Sequence, residues 1–406
     1  MIYWALLLHI YQPPTQSHHV LRQIYQECYR PLLDVLEKNP DAHISLNING
    51  VLTEMLWEHG MGDILDRIKK LATAGRLELV GSGKYHPIFP LIPEEERLRQ
   101  IELNLSANRR FFGKAYGPRG FFPPELAYSP DLADTLLKAD HKWVILSGIA
   151  CPVAWPLSVV HHVDRNGQGL KVLLRDDSRS NAISFRQTDA EGFINGLKQV
   201  GQMERDAYVV TAMDGETFGH HIKNWERDFL GEAFRLISRA DYGIGTLTLS
   251  ELVDILPDGQ AIEPLPSSWS TSHADIAAGN PYPLWNSPNN EVHRGLWAHL
   301  NFCIEITREA GAVATKPEAQ GFAQSARYFL DEALHSCQFW WASSEPVRDV
   351  NMVHQGMQLQ QEVVLNAFQA IQHSDLTPQQ KQVWRRRLTE ARLIRNGLEE
   401  RLLGLG

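Results

Sequence analysis

The chain is poor in cysteine. Its four cysteines, Cys28, Cys151, Cys303 and Cys337, are scattered without any C-x-x-C spacing. That argues against a disulfide framework and against a zinc–thiolate site, and leaves free thiols in a reducing compartment as the expectation. An excess of positive charge is also missing. The net charge is -9 at pH 7, whereas nucleic-acid binding needs clustered Lys and Arg. The single compact basic run, Arg385 to Arg387, reads as a solvated helix face. No apolar run is long enough to span a bilayer. The opening residues, Met1 to His9, lack a basic leader and a small-residue cleavage site, so they read as a core strand. The expectation is a cytoplasmic protein with no nucleic-acid and no membrane partner. No internal repeat or low-complexity tract interrupts the chain.

What is present is a pattern. At 406 residues with 43% apolar content, the chain is long enough for one large domain plus an appendage. Short apolar runs alternate with helix-period segments. The strand candidates are Ile2–Leu8, His43–Ile48, Leu77–Val80, Gly120–Phe122, Trp143–Leu146, Tyr208–Ala212 and Tyr242–Leu247. Amphipathic stretches such as Val20–Glu37, Leu52–Ala74, Glu94–Phe112 and Ser129–Lys138 lie between them. Such alternation predicts parallel strands joined by crossover helices.

Polar residues follow nearly every strand: His9, Asn49, His86, Glu125, Ser147, Asp214 and Ser250. A barrel gathers all its strand ends at one mouth, while an open sheet gathers them only at a switch point. The expectation is therefore an α/β catalytic barrel over residues 1–256. A Pro-, Ser- and Asn-rich loop region near the mouth follows over 257–291, then a C-terminal helical region over 292–406.

Two segments carry chemistry. Phe121-Phe-Pro-Pro-Glu-Leu-Ala-Tyr-Ser-Pro130 and Thr211-Ala-Met-Asp-Gly-Glu-Thr-Phe-Gly-His-His221 each place a carboxylate, Glu125 and Asp214, after a strand-like run. Two carboxylates are the minimal equipment for cleaving a glycosidic bond. Around them stand His9-Ile-Tyr-Gln-Pro-Pro14, with His9 and Gln12, and the glycine-bearing turn from Glu78 to Pro93, with His86.

Each residue also has a plainer reading. His9 could be a satisfied core histidine, Asp214-Gly215 a turn, and Glu216 a cap carboxylate. The adjacent His220 and His221 point apart, which disfavours a shared metal, so no metal site and no cofactor is expected. His220 is read as structural or substrate-contacting. Most of the tryptophans should be core. Trp269 and Trp285, in the Pro-rich stretch, are the candidates to stack on sugar faces.

Taken in order, His9 to Pro14, Gly75 to Pro93, Gly120 to Pro130 and Met213 to His221 resemble glycoside hydrolase family 57. Lys171-Val-Leu-Leu-Arg-Asp-Asp177 and Asn181-Ala-Ile-Ser-Phe185 resemble the family's segment before the acid. The resemblance implies an irregular seven-stranded (β/α)7 barrel with a helical C-terminal region. It also implies a retaining mechanism on α-linked sugars, usually α-glucans such as maltooligosaccharides. Carried over by motif, Glu125 matches the nucleophile and Asp214 the general acid/base, with His9 and His86 contacting substrate. One departure is Tyr11, where the family often has histidine. Tyr can hydrogen-bond a hydroxyl but cannot carry positive charge. Two other classes compete: a metal-dependent carbohydrate esterase on a similar barrel, and a glucan-binding protein without activity.

Overall fold

A computed structural model describes residues 1–155, 157–203, 206–239, 243–344 and 348–404. Among the described residues ten strands are present: β1 (Ile2–Ile10), β2 (Ile44–Ile48), β3 (Leu77–Val80), β4 (Gly120–Phe121), β5 (Trp143–Ser147), β6 (Val160–Arg165), β7 (Gln168–Arg175), β8 (Ala207–Asp214), β9 (Ile244–Thr246) and β10 (Asp258–Ala261). Each expected strand has a counterpart, although Tyr242, the expected start of the last, lies outside the described residues. β1 is buried along nearly its whole length, as a parallel strand covered on both faces must be. β4 stops after two residues because Pro123 and Pro124 have no N–H to extend a ladder.

β6, β7 and β10 were not foreseen. β6 and β7 are an antiparallel hairpin whose turn residues, Asn166 and Gly167, have φ of 52° and 80°. That positive-φ Asn-Gly pair is a hairpin signal already visible in the sequence. β10 runs parallel to β6 at the edge.

The ladder order is β10-β6-β7-β8-β1-β2-β3, with β5 pairing both β4 and β7, and β9 pairing β1. All pairings except β6–β7 are parallel. β3 and β4 share no ladder. They meet only at an isolated bridge between Gly81 and Phe121. Among the described residues the strands form a mostly parallel α/β sheet with many helices, and no continuous ladder runs from β3 to β4.

Residues alternate between faces along β1. Trp4, Leu6, Leu8 and Ile10 join a large cluster with the helices. Ala5 and Leu7 join a second cluster with Val80, Phe122, Trp143, Ile145, Leu173, Val210 and Ala212, contributed from β3, β5, β7, β8 and the residue after β4. This second face, continued to the strand ends, carries the site. Gly120 is required there: a Cβ would lie 1.9 Å from Trp143 Cε2.

Contacts divide the chain into two compact units, 1–12 with 16–276, and 13–15 with 277–406. The second unit holds helices Glu291–Val313, Pro317–Ala333, Cys337–Trp341, Val350–His373 and Pro378–Leu402. Thr377 closes a capping box with Gln380. The division at 276/277 falls inside the Pro-rich stretch, so Trp269 goes with the sheet and Trp285 with the helices. Among the described residues no helix is long and apolar enough to cross a membrane.

Candidate active site

Strand register assembles the site. His9, near the end of β1, pairs with Asn47 of β2 and with Asp214 of β8. Asp214 lies two residues past Ala212 and His9 two past Leu7, so by the two-residue period of a strand both face the same way as the inner cluster. Arg175, two residues past Leu173 of β7, joins them. A one-residue slip would turn every one of these groups away.

Glu125 arrives differently. After Pro123 and Pro124 the chain turns through left-handed conformations, with φ of 60° at Glu125 and 49° at Leu126. His86 has φ of 59°. Non-glycine residues in this region cost about 1–2 kcal/mol each and persist only where the surroundings hold them. Here the holding segment is Ser267 to Trp269. Tyr128 N–H donates to Ser267 O at 2.9 Å, and Trp269 N–H donates to Glu125 O at 3.0 Å. The indole of Trp269 returns to the same residue, its Nε1–H donating to Glu125 Oε2 at 2.8 Å.

Both carboxyls are raised. Burial, then the Asp214 charge, pushes Glu125 up to about 8, while the Trp269 indole pulls the other way. Burial pushes Asp214 up to about 6 against the pull of the Arg175 guanidinium. Interacting carboxyls titrate as a pair, and both hold a proton to higher pH than free carboxyls do. Retaining glycosidases need one of the two protonated near neutral pH. Each nitrogen of the Arg175 guanidinium makes one hydrogen bond: Nε donates to Ala212 O at 2.7 Å, Nη1 to Asp177 Oδ1 at 2.6 Å and Nη2 to Asn181 Oδ1 at 2.8 Å.

Burial lowers His9 to about 4, against the Asn47 bond, so its ring is neutral. Asn47 Nδ2 donates to Val80 O at 3.1 Å, which turns Oδ1 toward His9 Nδ1 at 2.7 Å. The carbonyl can only accept, so the proton sits on Nδ1 and Nε2 is left as an acceptor. The rings form a column: Tyr11 on His86 at 4.1 Å, His86 on His9 at 4.8 Å, and His9 on Phe122 at 4.6 Å. Trp269 meets His9 and Phe122 edge-on. His86 Nδ1 lies 3.8 Å from Glu125 Oε1.

The remaining expected residues fall in three places. Gln12 and Glu216 meet each other: Gln12 Nε2 and Tyr29 Oη both donate to Glu216 Oε1, at 3.2 and 2.6 Å. Burial and the Asp214 charge raise Glu216 to about 7, so it is a buried neighbour of the pair rather than a surface cap. His220 Nδ1 contacts Glu27 Oε2 at 3.0 Å. Trp285 belongs to the second unit and is fully buried. No ring face is open to a sugar there, which corrects the stacking expectation. Sequence reasoning did not assign Arg175, Asn47 or Tyr29. Arg175 lies within the segment Lys171 to Asp177, and a charged residue ending an apolar run is its signal. Among the described residues no group of three or more His, Cys, Asp or Glu is placed to hold a metal ion.

Two coupled, half-buried carboxyls at the strand ends of a mostly parallel α/β sheet define a site for proton transfer and nucleophilic attack. The family model for glycosyl hydrolase family 57 matches residues 7–264, and the chain belongs to that family. It is 30% identical over 284 residues to an alpha-amylase of Pyrococcus horikoshii, covering 67% of this chain and 43% of that protein. It is 27% identical over 284 residues to a 4-alpha-glucanotransferase of Thermococcus litoralis, covering 67% and 41%. The chain thus spans less than half the length of these curated relatives. The fold is similar to a solved family 57 branching enzyme from Pyrococcus horikoshii, with a TM-score of 0.69 at 16% identity over 90% of this chain and 88% of that one.

Proposed function

We propose that this chain is a retaining glycosidase or transglycosidase acting on α-glucans, with Glu125 as nucleophile and Asp214 as general acid/base. The carrying observation is the Glu125–Asp214 pair, half-buried and electrostatically coupled, with Trp269 donating to Glu125 and the Arg175 charge acting on Asp214. The relatives named alpha-amylase and 4-alpha-glucanotransferase supply the substrate class. We further infer that seven parallel strands, β1 to β5 with β7 and β8, ring the site as an irregular barrel. The Gly81–Phe121 bridge and the shared inner cluster support that ring.

In the first step a Glu125 oxygen attacks the anomeric carbon. The glycosidic C–O bond breaks, and Asp214 gives its proton to the leaving oxygen. A sugar whose leaving oxygen accepts from Asp214 favours the tautomer with Glu125 ionised, as does positive charge developing at the anomeric carbon. In the second step Asp214 takes a proton from water or from an acceptor hydroxyl. That oxygen attacks the same carbon and releases Glu125. His9 Nε2, a fixed acceptor, holds a substrate hydroxyl, and His86 and Tyr11 continue that wall.

Product analysis after incubation with maltooligosaccharides and amylose tests the reading. Shorter reducing products indicate hydrolysis, and redistributed chain lengths indicate transfer. Neither activity, in a folded preparation that Glu125→Gln leaves equally silent, rejects the assignment.

A further inference from the structure

Trp57 lies in the last turn of the helix Gly50–Glu58 and is 57% exposed. It lies about 10 Å down the helix from Gly50, away from the end of β2, at 1.5 Å per residue. A cavity of about 260 Å³ opens beside it, lined by Trp57, Gly62, Leu65, Asp66, Arg110 and Phe111.

The cleft is preorganised. Trp57 rests against Gly62, where an added Cβ would lie 3.0 Å from Trp57 Cε3. The Trp57 and Phe111 rings meet at 5.7 Å with 52° between their planes, forming two walls of an open V. Lys69 Nζ donates to Phe111 O at 3.1 Å and ties the helix Glu94–Phe112 to the helix Asp63–Thr73.

Its polar groups define the ligand. Among the described residues, the side chains of Asp66 and Arg110 have no hydrogen-bond or ion-pair partner, and the Arg110 guanidinium lies 5.4 Å from the Phe111 centroid. One group only accepts and the other only donates. Their charges cancel, so neither sign of ligand is favoured. A pyranose fits this set: its C–H face lies on an aromatic ring, and its hydroxyls donate to a carboxylate and accept from a guanidinium. We propose that this cleft is a surface binding site for a neutral carbohydrate chain, an α-glucan, separate from the carboxylates. The choice of glucan rests on the proposed function. The site would hold one stretch of a polymer while another stretch is cut.

The test is affinity electrophoresis of the full chain through amylopectin, with turnover of maltotriose measured in parallel. Trp57→Ala should weaken amylopectin binding about fivefold, the loss of one aromatic contact of about 1 kcal/mol. Arg110→Ala should weaken it in the same direction, and both should keep kcat/KM on maltotriose within about twofold. Arg110→Ala and Asp66→Ala, both at exposed positions, serve if Trp57→Ala does not fold. Unchanged mobility of the variants, or no retardation of the parent, overturns the surface site while maltotriose turnover leaves the catalytic reading standing. A variant that alters the oligomeric mass without altering amylopectin binding assigns the cleft to a protein and also overturns it. Absence of turnover on every α-glucan defeats the catalytic reading instead.

Discussion

Trp269→Phe isolates a single bond. The indole N–H donates to Glu125 Oε2 at 2.8 Å, and the ring also packs against Phe122 and His9, at centroid distances of 5.9 and 6.3 Å. Phenylalanine keeps much of the packing and removes the donor. A hydrogen bond to a charged group contributes about 1.5–3 kcal/mol, or roughly 10-fold to 100-fold in rate. The loss falls on the ionised form of Glu125, which is the attacking form.

The sign follows from the pair. With Asp214 raised to about 6 and Glu125 to about 8, kcat/KM should be bell-shaped around neutral pH. The Trp269 donor pulls Glu125 down, so without it ionisation of Glu125 moves to higher pH and the state with Glu125 ionised becomes rarer. Maltooligosaccharide turnover from about pH 5 to about pH 9 should therefore show kcat/KM down roughly 10-fold to 100-fold near pH 7, with the basic limb displaced upward. A variant within about twofold of the parent and with an unmoved basic limb would refute the role given to this bond.

Other outcomes are expected. Glu125→Gln should abolish turnover yet stabilise the fold at alkaline pH. Glu125 is raised from 4.5 to about 8, so between those values the folded state keeps a proton that the unfolded chain has lost. The parent's stability then falls as pH rises through that window, and the melting-temperature advantage of Glu125→Gln should be larger at about pH 9 than at about pH 5. An equal advantage at both would show that Glu125 ionises freely. Asp214→Asn should retain far more of its glycosylation rate on a substrate with an activated leaving group than on maltooligosaccharide, because protonation of the leaving oxygen matters less there; equal losses on both would remove Asp214 as the acid. Gly219→Ala should destabilise the chain by about 2 kcal/mol, since the new Cβ would lie 2.0 Å from Glu27 O at a φ of 113°. An unchanged melting temperature would show that this close approach of loop and helix is loose.

Some of this protein is determined by local sequence. Apolar runs of strand length fixed the position of seven strands, because a parallel strand buried on both faces must be apolar nearly throughout. The helix Glu94–Phe112 was legible to the residue, with glutamates in its first turn and arginines in its last to match its dipole. The segments around Glu125 and Asp214 were recognisable as chemistry because carboxylates stand directly after apolar strands. Other features are also encoded locally. Asn166-Gly167 encoded a hairpin, Gly60 at φ of 73° split the stretch 52–74 into two helices, and Arg175 ended a buried run.

The rest was decided by tertiary structure. Which face a strand residue takes depends on register with its neighbours, so only the pairing of His9 with Asn47 and Asp214 brings those three together. The proton state of the carboxyls depends on burial and on each other's charge, which no local window contains. Trp269 and Trp285 stand in the same Pro-rich stretch and read alike. Packing sends one to donate to Glu125 and seals the other in the helical unit, because side-chain fate is set by what the chain meets in space rather than by its neighbours in sequence.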